Sequence, residues 1–114
     1  MARWKPAILF VTNQTTMAYF RVLLSGSGIS FTFEENAQPA IGFFATRFIK
    51  AASSARAELL AKTLVLSEWG PGGVYADANK GALPLLATES VVSVGMLTGI
   101  FRRHSKGYSF YLRD

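Results

Sequence analysis

Arg47 and Glu89 are the residues of this chain most suggestive of chemistry, because each stands in an apolar, strand-like run where a charge needs a partner. In IGFFATRFIKA, Ile41 to Ala51, Arg47 shares a strand face with Phe43, Ala45 and Ile49. Paired across strands, Arg47 and Glu89 would either line a polar pocket for a small enzyme or form an ordinary cross-strand bridge, the plainer reading. Arg21, in the middle of YFRVLL, is an alternative partner for Glu89. Trp69 and Tyr75 stand in the Gly- and Pro-rich stretch EWGPGGVYADANKGALP and, with Arg47, would edge an apolar ligand cavity. Trp69, Tyr75, Arg47 and Glu89 are therefore the candidate ligand-binding residues.

The second cluster is basic. His104, the single histidine, lies in FRRHSK beside Arg102, Arg103 and Lys106. Its like-charged neighbours favour a neutral imidazole, but a competent base also needs a positioned acid, and no Asp or Glu lies close in sequence. Arg102, Arg103, His104 and Lys106, with Arg113, form instead a candidate anion or nucleic-acid site, with Tyr108, Phe110 and Tyr111 as rings for bases to stack on. Against that, Tyr108 and Phe110 have the spacing of core residues in a terminal strand, and the glycine and aromatic pattern of the RRM is absent.

Other chemistry is thinly supplied. The chain has no cysteine, which excludes disulfides, thiolate metal sites and a Cys nucleophile. Adjacent Glu34 and Glu35 would point to opposite faces of a strand and read as a solvated turn. WGPGG and ANKG lack the GxxxxGK[ST] spacing of a phosphate loop. No catalytic residue, metal ligand or cofactor is assigned, and the chain reads as noncatalytic more readily than as an enzyme.

Those residues must be positioned by one domain, since 114 residues, 50% of them hydrophobic, make a core of single-domain size. Met1 to Val11 begins like a signal peptide, but its apolar stretch is too short. VVSVGMLTGIF is likewise too short to span a bilayer. A cytoplasmic, non-membrane protein is the expectation. Met17 is a candidate internal start, which would make residues 1 to 16 an extension or partner-binding arm, with Pro6 to Val11 as its strand. The net charge of +5 favours anionic partners, or serves solubility alone.

Period-two alternation predicts a strand from Ala18 to Leu24, a break at SGSG, a short strand through Ile29, Phe31 and Phe33, and a long strand over Ile41 to Ala51. The last passes without a spacer into SSARAELLAKTLVLSEW, where Ser53 or Ser54 caps a helix of about 54 to 68. Its buried stripe would be Ala57, Leu60, Ala61, Leu64 and Val65, with Glu58 and Lys62 paired on the outside. Leu85 to Val94 and Tyr108 to Leu112 alternate again. Gly95 to Lys106 reads as a short helix or a broad turn.

YFRVLLSG, GFFATRFIKAAS and KGYSFY resemble segments of small bacterial orphan proteins of the mobile (integron) gene cassette type. The resemblance covers about half of the chain, implies an adaptive accessory function, and carries over no functional residue.

The expected fold is α+β, an antiparallel or mixed sheet of four or five strands with the main helix on one face, ferredoxin-like or an α+β roll. One helix cannot cover both faces of a sheet whose strands are apolar on both sides, so the other face needs a second subunit or must close around a pocket. The expectation that follows is a homo-oligomer, most simply a dimer, that binds a protein or an apolar small molecule. The alternatives are a small enzyme around Arg47 and Glu89, and a nucleic-acid binder.

Overall fold

A computed structural model describes residues 17–34, 37–103 and 107–112. The arm read in residues 1 to 16, and His104, Lys106 and Arg113 of the basic cluster, lie outside the described residues. The fold is α+β: strands β1 (Ala18–Phe31) and β2 (Ala40–Ala51), helix α1 (Ser54–Trp69), strand β3 (Leu85–Val94), helix α2 (Met96–Arg102) and strand β4 (Gly107–Leu112). The strands form one sheet in the order β3-β1-β2-β4, and every neighbouring pair is antiparallel. The element order is β-β-α-β-α-β, which sets aside the ferredoxin-like alternative, whose order is β-α-β-β-α-β.

This order sends the two helices to opposite faces. α1 leaves β2, passes over β1 and delivers the chain to β3. Its Ala57, Ala61 and Val65 are buried against Val22, Leu24, Ala45 and Ile49. Ser53 caps it, its hydroxyl accepting a hydrogen bond from the Arg56 amide at 3.1 Å. Three small or β-branched residues at four-residue spacing bring the helix close to the sheet and tilt its stripe, so Leu60 is half-buried and Leu64, expected inside, is 47% exposed. α2 joins the two edge strands β3 and β4 across the second face. Its Gly99 lies so close to Tyr19 that a side chain there would run into the ring.

β1 does not stop at SGSG. It runs on to Phe31 with an irregularity between Ser27 and Phe31, and Gly28 adopts a positive φ of 89° that few other residues tolerate. The irregularity switches faces: Val22 and Leu24 point to α1 before it, and Ile29 and Phe31 join the same core after it. The long stretch from 70 to 84 is also less free than its composition implies. Asn79 bridges to Phe31, its Oδ1 accepts from the amides of Ser30 (2.9 Å) and Gly81 (3.0 Å), and its Nδ2 donates to the Ala82 carbonyl.

Candidate functional site

Strand parity alone turns Arg47 toward α1, and the helix supplies its partner. Arg47 is 4% exposed, and its Nη2 donates to Glu68 Oε1 at 2.8 Å while Nη1 donates to the Thr46 carbonyl at 2.8 Å. Glu68 stands in the last turn of α1. β4 adds Tyr108, whose hydroxyl donates to the same Glu68 oxygen at 2.5 Å and accepts from Trp69 Nε1 at 3.2 Å. The guanidinium lies over the Tyr108 ring at 5.0 Å. One carboxylate thus ties together β2, α1 and β4.

Around this network the aromatic residues close ranks. Trp69 is 2% exposed and lies between Phe43, stacked at 5.2 Å, and Tyr75, stacked at 4.7 Å. Phe43 itself covers Gly26, its cross-strand partner, where any side chain would collide with the ring. Arg47, Trp69 and Tyr75 are therefore brought together as the sequence suggests, but ring packs against ring where a ligand cavity was expected. Burial, then the hydrogen bond to the Glu68 carboxylate, holds the Tyr108 phenol well above its ordinary pKa; burial and the same carboxylate raise Tyr75. Tyr108 is a neutral donor at neutral pH. The arrangement is a brace whose charges and hydrogen bonds are satisfied internally.

Glu89 does not join it, and the expected Arg47–Glu89 pair is not formed. Glu89 is the extra residue of an irregularity in β3, where Leu23 and Leu24 oppose Ser90 and Thr88. It is exposed and accepts a hydrogen bond from Ser25 Oγ at 2.8 Å, on the face of β1 opposite to the one that meets Arg47. Parity arguments reach strand neighbours only. Glu68 lies beyond their reach because it belongs to a helix; its position at the end of α1, beside the buried Trp69, is the one signal the sequence offers for it.

Of the basic group, Arg102 and Arg103 are exposed. Arg102 sits 5.4 Å above the Phe48 ring on the second face. Tyr108 and Phe110, the rings proposed for base stacking, pack with the core under α1, while Tyr111 is 38% exposed and lies against Phe44 at 5.8 Å on the other side.

The second face is where the molecule remains open. α2 covers its Tyr19 and Phe48 end. Phe44, Val92 and Tyr111 on the rest of it are exposed. On α2, Met96, Leu97, Ile100 and Phe101 are exposed, Met96 and Ile100 along a cleft they share with Tyr19 and Val94. No helix among the described residues is long and apolar enough to cross a membrane. No protein-family model, curated protein or solved structure matches the chain, so the site's own geometry carries the functional argument.

Proposed function

We propose that this chain is a noncatalytic assembly module that pairs with a second copy of itself through α2 and the open part of the second sheet face. The observation that supports the reading best is α2 itself. Met96, Leu97, Ile100 and Phe101 are 69%, 70%, 49% and 81% exposed, on a helix of seven residues. Water contact on four large apolar side chains, with Phe44, Val92 and Tyr111 also exposed on the same side of the sheet, is costly to a lone chain. An isologous pairing places each apolar helix against the equivalent face of its partner and removes both from water. Among the described residues β3 and β4 are the outer strands, which leaves room for the sheets to align as they do so.

Sedimentation and light scattering over a range of protein concentration test the reading. A dimer is expected, reduced to monomer by the double substitution L97E and F101E with an unchanged circular dichroism spectrum, because both side chains already face solvent. A wild-type chain that stays monomeric at high micromolar concentration overturns it.

A further inference from the structure

Beside α2, and built from different side chains than the apolar surface, the second face holds a cleft of about 470 Å³. Its floor is Phe48. Arg21 of β1 is the direct cross-strand partner of Phe48, and Arg102 of α2 brings its guanidinium over the ring at 5.4 Å. Thr46 of β2 and Thr98 of α2 also line it, and Gly107, paired with Thr46 at the start of β4, leaves that wall without a side chain. Two arginines, one from β1 and one from α2, thus line one small space.

Among the described residues neither has a carboxylate partner. Among the described residues the ion pairs are Arg47 with Glu68 and Lys62 with Glu58, and Glu89 is held by Ser25. The hydroxyls of Thr46 and Thr98 make no hydrogen bond with the described residues. Two permanently charged guanidiniums lining one cleft repel one another unless an anion lies between them, and their planar forks match the oxygens of a carboxylate or phosphate. The volume falls within the range of small-molecule sites and is too small for a macromolecule. Val94 and the edge of Phe48 add an apolar wall.

We infer that this cleft binds a small organic anion, its oxyanion held by Arg21 and Arg102 and its apolar part laid against Phe48 and Val94. The inference stands apart from the assembly reading, since ligand titration reports one and sedimentation the other.

The test is an NMR titration of the ¹⁵N-labelled full chain with benzoate, phenyl phosphate and, as the uncharged control, benzamide. Saturable shifts are expected at the amides of Thr46 to Phe48 and Thr98 to Arg102 with one or both anions. The tighter of the two identifies the oxyanion as carboxylate or phosphate. Substituting either arginine (R21Q or R102Q) is expected to weaken binding about tenfold, the size of one lost charge-assisted hydrogen bond. Both side chains are exposed, so the variants should keep the native spectrum. Benzamide binding as tightly as benzoate, R21Q and R102Q each keeping wild-type affinity, or no saturable shift with either anion at millimolar concentration would each overturn the inference.

Discussion

At the scale of single residues, the fold concentrates its electrostatic risk on Arg47. A guanidinium that is 4% exposed is tolerable only while Glu68 neutralises it, so removing the carboxylate leaves an uncompensated buried charge. E68A is expected to cost about 3 kcal/mol in urea denaturation, the lower end for breaking a buried pair because Glu68 retains some contact with solvent. E89Q, at an exposed acid held only by Ser25, is expected to change stability by less than about 0.5 kcal/mol. Equal losses in the two variants would contradict the assignment. Tyr108 gives a pH signature. Its folded pKa lies above the unfolded value of 10.0, so the folded chain holds a proton that the unfolded chain releases. The stability it contributes is whole below pH 10 and declines as the pH rises from there toward the folded pKa. Y108F should therefore be less stable than wild type at pH 8, with the gap narrowing above pH 10. A constant gap across that range would show that the phenol does not titrate as described. Strand parity, being local, discloses that Arg47 shares a face with Phe43, Ala45 and Ile49, which is the face under α1. It does not disclose the partner, because 21 positions and a helix separate Arg47 from Glu68.

At the scale of elements, the legible parts are those whose pattern and packing coincide. β2 running into α1 was readable because alternation gives way at once to a capped helix, with Ser53 in place to receive the Arg56 amide. SGSG has turn composition and reads as a break, yet β2 and β3 flank β1 and hold Gly26 extended between them, while the irregularity after Ser27 takes up the positive φ of Gly28 without ending the strand. The anchoring of the 70 to 84 stretch is illegible for the complementary reason: no local signal announces that Asn79 will fasten to β1. N79A removes one acceptor serving two amides and one donor, and is expected to make this stretch the first site of limited proteolysis while the sheet stays intact. Cleavage unchanged from wild type would mean that other contacts hold the loop. α2 rests on a closer tolerance. G99A forces a methyl group into the Tyr19 ring, so the helix must lift from the sheet, at a cost of about 1–2 kcal/mol for overpacking. Hydrogen exchange should quicken in α2 and leave α1 and the centres of β1 and β2 protected. Unaltered exchange in α2 would show that Tyr19 moves aside instead.

At the scale of the whole molecule, charge and apolar surface pull in opposite directions, and salt separates them. Each chain carries a formal charge of +5, so two copies approaching one another repel, and the proposed pairing must draw its stability from Leu97, Phe101 and their neighbours. Raising ionic strength screens the repulsion and leaves the apolar term intact or strengthened, so the dimer dissociation constant is expected to fall as sodium chloride goes from about 50 to 500 mM, where the Debye length shortens severalfold. Anion binding at Arg21 and Arg102 has the reverse sign: the attraction is screened and chloride competes, so benzoate or phenyl phosphate should bind less tightly over the same range. Measuring both on one preparation makes the pair of signs the result. A dimer that loosens with salt would point to charged contacts elsewhere on the chain in place of the apolar surface. Ligand binding indifferent to salt would mean that the cleft selects shape and not charge, which is incompatible with two unpaired guanidiniums holding an oxyanion.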